Sequence, residues 1–227
     1  MNRKTLLGLT TALAAFSAPQ AGFAQDEPAA SSGDDVLLVL GTRRQGRSIA
    51  NSPVPIDVLG ADDLLNIGLT DTNDILQTLV PAFNIARQPI SDGATFIRPP
   101  QLRGLDSDKT LVLVNGKRRH RAALVLLGGF GSHGPDIATI PAIALKNVQI
   151  LRDGSGAQYG SDAIAGVLNF ELNDRSDGGS AFVRYGEFYE GDGENLTVAG
   201  NYGFSLGSRG FVNISGEYNT QQPTSRG

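Results

Sequence analysis

The sequence predicts an α+β domain with a small mixed sheet, followed by antiparallel strands of the transmembrane β-barrel kind, with the barrel incomplete. Three observations carry this reading. Residues 53–172 mix short apolar runs, short helical patterns and frequent turn signals, as an α+β domain requires. After Asp177-Gly178-Gly179 the hydrophobic period changes to two, over segments of about 9–11 residues, the length of a tilted strand that crosses a bilayer. The N-terminus reads as an export signal: Arg3 and Lys4 precede an apolar run over residues 6–18, and Gly22-Phe23-Ala24 supplies small residues for cleavage after Ala24. That run is too short to span a bilayer, and no long helical span follows, so insertion would be by strands.

Composition narrows the function. Glycine, at 29 of 227 residues, is well above the usual share of about 7% and has no collagen period, which points to tight turns and close backbone packing. Cysteine is absent, so disulfides, cysteine metal sites and thiol nucleophiles are excluded. The net charge of −4 becomes more negative once Arg3 and Lys4 are cleaved off, and does not fit a nucleic-acid binder.

The elements follow in order. Residues 25–33 are rich in Pro, Ala, Ser and Gly and read as disordered. An extended apolar run, residues 36–40, follows two acids, and a polar segment, residues 41–52, leads to the compact part. Val54-Pro55-Ile56-Asp57-Val58-Leu59 reads as a strand, placed at an edge by its prolines. Residues 61–67 form a short helix. Thr70 or Asp71 caps a second helix whose Ile75, Leu76 and Leu79 share a face before Pro81 ends it. Phe83-Asn84-Ile85 is short and extended. Residues 111–114 read as a buried strand, and Asn115-Gly116 as a type I′ turn. Pro141 opens a helix over residues 141–145. Residues 148–151 and 167–172 complete the sheet, with a turn at Gly154-Ser155-Gly156, a short helical turn and Gly160 and Gly166 between them.

In residues 195–206, Leu196, Val198, Tyr202, Phe204 and Leu206 lie on one face, and Asn195, Thr197, Asn201 and Ser205 on the other. Val212, Ile214 and Tyr218 oppose Asn213, Ser215 and Glu217 in the next strand. In residues 180–188, Val183 and Tyr185 oppose Ser180 and Arg184. A soluble β-sandwich has the same period, so alternation alone does not separate the two architectures. Three strands do not close a barrel, whose smallest common form has about eight, so the chain is expected to be a fragment of a longer protein.

Catalytic and cofactor signals are weak. Gly41-Thr42-Arg43-Arg44-Gln45-Gly46-Arg47-Ser48 nearly matches a phosphate-binding loop, but Arg47 replaces the lysine and Pro53 and Pro55 stop any useful helix. The spacing from Gly154 and Gly156 to Gly160 does not fit a dinucleotide turn. His120 and His133 have no carboxylate or second His at metal-ligand spacing. No Ser, His and Asp arrangement argues for a nucleophile. The expectation is a protein that is not an enzyme and has no cofactor and no metal.

Several motifs occur in a fixed order: Leu102-Arg103-Gly104-Leu105, then Thr110-Leu111-Val112-Leu113-Val114-Asn115-Gly116-Lys117-Arg118-Arg119, then the stretch from Asn147 through Arg152-Asp153-Gly154-Ser155-Gly156 and Tyr159-Gly160 to Gly166 and Phe170. Together they resemble the plug domain of TonB-dependent outer-membrane receptors, over roughly residues 35–172. The resemblance implies a plug inside a 22-stranded barrel, importing a scarce nutrient such as a ferric siderophore, cobalamin or an oligosaccharide. It implies the partners TonB, ExbB and ExbD, outer-membrane lipid around the barrel, and a small-molecule or chelate ligand. It also places the protein in the outer membrane of a Gram-negative cell, with plug and N-terminus on the periplasmic side. The organisation expected is a signal peptide (1–24), a flexible segment (25–52), a plug (53–172) and the first barrel strands (178–227).

Asp35, Val36, Leu37, Leu38 and Val39 sit where this family carries its TonB box. Such a segment can add as a strand to the edge of a partner sheet; the alternative is an ordinary early strand. The cluster Lys117, Arg118, Arg119, His120 and Arg121 has three readings: pairing with nearby Asp106 and Asp108, attraction of an anionic ligand, or contact with acids of the barrel wall, which is favoured. Arg87, Arg98 and Gln101 flank a long loop, residues 88–100, that could reach the same side. Arg103 and Arg152, with Arg118 and Arg119, give the plug a polar exterior suited to a hydrated wall. Residues 124–134 have no assigned role. The competing function is a non-transporting outer-membrane or periplasmic interaction protein. A signalling receptor is disfavoured, because about ten residues between the cleavage site and Asp35 leave no room for a further domain.

Overall fold

A computed structural model describes Leu40 and residues 55–85, 96–125, 131–152 and 156–224. Its organising element is a five-stranded sheet in the order β1-β6-β7-β4-β5. The edge strand β1 (Ile56–Gly60) starts just after Pro55, where a missing N–H costs no ladder bond. Helix α1 (Ala61–Asn66) follows at once, with the Gly60 N–H donating to Asp63 Oδ2 at 2.9 Å. Helix α2 (Thr72–Leu79) is capped by Asp71, whose carboxylate accepts from the Asn73 N–H at 2.8 Å. Ile75 and Leu76 are fully buried, and Leu79 packs on the same cluster.

Strands β2 (Phe83–Asn84) and β3 (Gln101–Leu102) pair with each other. Then come β4 (Thr110–Val114) and β5 (Lys117–Arg118), joined by Asn115 and Gly116 at φ 48° and 74°, both in the left-handed region a type I′ turn requires. Strand β6 (Leu145–Leu151) is antiparallel to β1 and to β7 (Gly166–Leu172), while β7 runs parallel to β4.

Two sequence expectations change here. Residues 141–145 are not a helix: Pro141 caps a single 3-10 turn, Ala142–Ala144, and Leu145 already pairs with Leu172. Strand pairing takes over because three residues between a proline and an apolar strand gain little as a helix. A bulge between Leu145 and Asn147 absorbs the resulting offset. Gly156 is not a turn residue either. It opens the four-residue helix α3 (Gly156–Tyr159), and the turn expected at Gly154 falls outside the described residues.

The two faces of the sheet differ. One packs Val112, Val148, Ile150, Leu168 and Phe170 against Leu64, Ile75 and Leu76 of the helices. The other is apolar at one end, where Leu40 lies buried with Ile56, Leu111, Leu113, Leu151 and Val167. Its other end is polar: Gln149 and Asn147 donate to the two carboxylate oxygens of Glu171, at 3.1 and 2.7 Å. Asn169, paired in register with Gln149, accepts from the Gly116 N–H at 2.9 Å.

Residues 173–178 connect β7 to a second sheet of order β10-β9-β8, antiparallel throughout: β8 (Gly179–Gly186), β9 (Asn195–Leu206) and β10 (Gly210–Gln221). Here burial is the reverse of a soluble sheet. Thr197 and Asn201 are 0% and 3% exposed, whereas Val198 and Tyr202 between and beside them are 43% and 59% exposed. The register extends both rows across the sheet: Val183, Val198 and Tyr218 share the outer face, and Arg184, Thr197 and Asn219 the inner one. Polar-in and apolar-out is the alternation of a transmembrane wall, and it decides against the sandwich.

Candidate functional site

The basic cluster lies at the end of the sheet where β4 and β7 begin. Its Arg118, Arg119, His120 and Arg121 line a cavity of about 360 Å3 with Thr110, His133 and Asp162. Arg118 follows from the hairpin: β5 pairs with Val114 and Leu113, which sends its guanidinium over to Asp162 Oδ2 at 2.8 Å and to the Tyr159 carbonyl at 2.5 Å. Arg121 reaches the same carboxylate at 3.5 Å. Arg119 donates to the Asp136 carbonyl at 2.9 Å and to Thr139 Oγ1 at 2.7 Å. His133 Nε2 donates to the Ala122 carbonyl, and His120 is exposed at the cavity rim. The arginines thus pair inside their own domain rather than with acids of the wall, the favoured expectation, and the carboxylate they use is Asp162 rather than Asp106 or Asp108. The reason is geometric: the 3-10 turn Ser161–Ala163, held by the Ala163 N–H to the Gly160 carbonyl, brings Asp162 beside the hairpin. Ser107 Oγ and Asp108 Oδ1, both buried without a hydrogen-bond partner, lie on the same cavity.

Arg98 is elsewhere. It pairs with Asp71 at the head of α2, and its N–H donates to Asp136 Oδ1 at 3.2 Å. Both residues line a second, larger cleft of about 750 Å3 between α2 and the inner face of the strand sheet, which Arg184 and Glu217 approach from the other side. Arg103 donates to the Arg152 carbonyl at 3.1 Å, and Arg152 pairs with Asp57 at 2.5 Å. Asp35, Val36, Leu37, Leu38, Val39, Arg87 and Gly154 lie outside the described residues, as do residues 1–39, 41–54, 88–95 and 126–130. Leu40, the last residue of the apolar run, is fully buried, and its N–H donates to Gln149 Oε1 at 3.3 Å.

The connection between the two sheets is polar. The Gly203 N–H donates to the Gly178 carbonyl at 2.8 Å, Asn213 to the Arg175 carbonyl at 3.1 Å, and Ser205 to the Ser176 carbonyl at 3.2 Å. Lys146, at 2.9 Å, hydrogen-bonds Asp174 and holds its carboxyl below the usual carboxylate range. Sequence reasoning missed Arg184, Asp162 and the Gln149–Glu171 network. Arg184 sits on the inner row of β8, so its position was readable but its partners were not. Among the described residues no group of three or more His, Asp or Glu side chains is arranged to hold a metal ion.

Comparison with known proteins gives consistent relatives. Residues 48–167 match the TonB-dependent Receptor Plug Domain family. The vitamin B12 transporter BtuB of Photobacterium profundum is 33% identical over 167 residues, covering 74% of this chain and 24% of the relative. Among solved structures, a ferric enterobactin receptor (PfeA) of Pseudomonas aeruginosa superimposes with a TM-score of 0.59 at 21% identity, over 74% of this chain and 25% of that one. The siderophore receptor PirA of Acinetobacter baumannii gives 0.54 at 25% identity, over 72% and 24%. The chain therefore spans about a quarter of the length of these relatives.

Proposed function

We propose a function on one premise: this chain belongs to the TonB-dependent receptor plug domain family. It is the plug and first wall strands of an outer-membrane importer that takes up a scarce nutrient when energised from the periplasm. The observation that carries this is the inverted burial of β8–β10, with apolar side chains outward and a polar row facing the α+β domain. Lipid covers the outer row. The inner row forms a hydrated contact that can rearrange without separating a dry apolar core.

The strand connections support an orientation with the plug and N-terminus on the periplasmic side. Residues 207–209 make a three-residue turn between β9 and β10, while residues 187–194 link β8 and β9. Short turns face the periplasm and longer loops the exterior. The Asn115-Gly116 turn lies near the periplasmic end, because Asn115 Oδ1 accepts from the Leu172 N–H at 2.8 Å, just before the connection to β8. The basic cavity at the opposite end of β4 and β7 then faces outward, where Arg118, Arg119, His120 and Arg121 meet an anionic chelate, while Arg98 lines the separate, larger cleft. Relatives named for vitamin B12 and for ferric enterobactin favour a corrinoid or a ferric siderophore as the ligand class, with an oligosaccharide as the remaining alternative.

Residues 1–24 are the leader, 25–52 the flexible segment, 53–172 the plug, and the wall begins at 178. Asp35, Val36, Leu37, Leu38 and Val39 form the segment that TonB, driven by ExbB and ExbD, engages by strand addition. Its closeness to buried Leu40 supports this, since a pull on the segment reaches the sheet within one residue. The test is Leu37→Pro in the full-length receptor. Proline removes a backbone donor and breaks strand pairing. Energised uptake is expected to be lost while ligand binding to the purified receptor is kept; unchanged uptake would rule out this segment as the engaged one.

A further inference from the structure

We infer that Arg184 is a clasp that fastens the α1–α2 part of the plug to the first wall strand and closes the cleft on that side. Helix α1 has two acids in its first turn, Asp62 and Asp63, and no basic residue in its last. Its C-terminal carbonyls therefore lack a cation from their own helix, which would favour the negative end of the helix dipole. Gly68, at φ 83°, turns the chain out of the helix in the left-handed conformation common after a helix end.

The missing cation comes from the wall. Arg184 Nη2 donates to the Leu65 carbonyl at 2.9 Å, inside the last turn of α1. Its Nη1 donates to the Leu69 carbonyl at 2.5 Å, in the link to α2. One planar guanidinium thus bridges the helix end and the linker, with its two donors held in a rigid fork where an ammonium would hold them loosely. Phe182, two residues earlier on the same inner face, places its ring 4.8 Å from the guanidinium carbon and steadies it.

The position gives the contact a consequence. The hydrogen bonds of Gly178, Arg175 and Ser176 to the wall come from the connection leading into β8, so they lie close in sequence to the wall itself. Arg184 instead joins segments 115 and 119 residues apart. It also lines the cleft of about 750 Å3 together with Leu69, Thr70 and Asp71, so releasing it frees the linker that forms part of the plug side of that cleft. The clasp decides whether the plug seals against the wall in the resting state, independently of ligand or energy.

The experiment uses the full-length receptor in outer membranes. Amide hydrogen exchange is read at residues 65–70 and in β4 and β7, and entry of a large hydrophilic antibiotic is measured without energisation. Arg184→Met is expected to speed exchange at residues 65–70 about tenfold, the scale of a lost hydrogen bond to a charged group, and to leave β4 and β7 protected. Antibiotic entry is expected to rise several-fold, with Arg184→Lys between the two. Unchanged exchange and entry would overturn the clasp. Loss of protection throughout the sheet would overturn it as well, by making Arg184 a general folding residue. Because neither readout uses residues 35–39 or a ligand, failure here is separate from failure of the import function.

Discussion

Gly160 and Gly166 are both glycines for backbone reasons, but to different degrees. Gly160 has φ 92° and open space around the position of a Cβ, so only conformational strain opposes a side chain. At Gly166, φ is 147° and a Cβ would lie 2.6 Å from the Leu151 carbonyl and 2.8 Å from Leu102 Cδ1. Gly160→Ala is expected to cost about 1 kcal/mol and Gly166→Ala about 3 kcal/mol or more, read as the denaturant midpoint for protease protection of the plug in the full-length receptor. Equal losses would contradict the crowding at Gly166. Both glycines are visible in the sequence; which one is crowded is not, because the crowding comes from β6 and β3. Asp174 gives a pH prediction. The hydrogen bond from Lys146 holds its carboxyl below the ordinary 3.8, so any stability it contributes is present above that value and is lost as pH falls through the lowered one. Both partners are about half exposed, and solvent screening leaves the pair worth under about 1 kcal/mol. Lys146→Met should return the Asp174 midpoint, followed by carboxyl NMR, to the ordinary value; a midpoint that stays low would assign the shift to another cause.

Helix α2 and strand β9 were legible as elements because each carries its own signal. The cap Asp71, the apolar pair Ile75 and Leu76, and the stop at Pro81 bound α2, and a period of two bounds β9. Residues 141–145 were misread because a local helix-start rule competed with pairing to Leu172, which no local pattern reveals. Asp71 does two things at once, capping α2 and pairing with Arg98. Asp71→Ala is expected to destabilise the plug by about 1–2 kcal/mol, and Asp71→Asn, which keeps the cap, by less than half of that. Equal effects would mean that the cap contributes nothing. For β9, Val198→Arg places a charge on the lipid-facing row and is expected to cost up to about 4 kcal/mol of insertion, measured as the fraction folded in bilayers. Tolerance of Val198→Arg would mean that the outer row does not meet lipid.

At the scale of the whole molecule, the sequence motifs give the family and the order of parts, and the structure adds how the parts touch. The burial that separates a membrane wall from a sandwich depends on which row faces the α+β domain, and alternation is blind to that. The contacts of Arg184 and the seat of Leu40 join segments more than a hundred residues apart, so no window of sequence contains them. What they describe together is a polar-faced plug with Leu40 seated beside its sheet and an arginine joining it to the wall. Residues 35–39, just before Leu40, are the proposed tether. The central claim is energised import through that tether. The most direct measurement is whole-cell uptake by the full-length parent, with and without residues 35–39, using labelled ferric chelates, cobalamin and oligosaccharides. The account predicts uptake of at least one of these that disappears without residues 35–39, while binding to the purified receptor persists. Uptake that proceeds unchanged without them would contradict it.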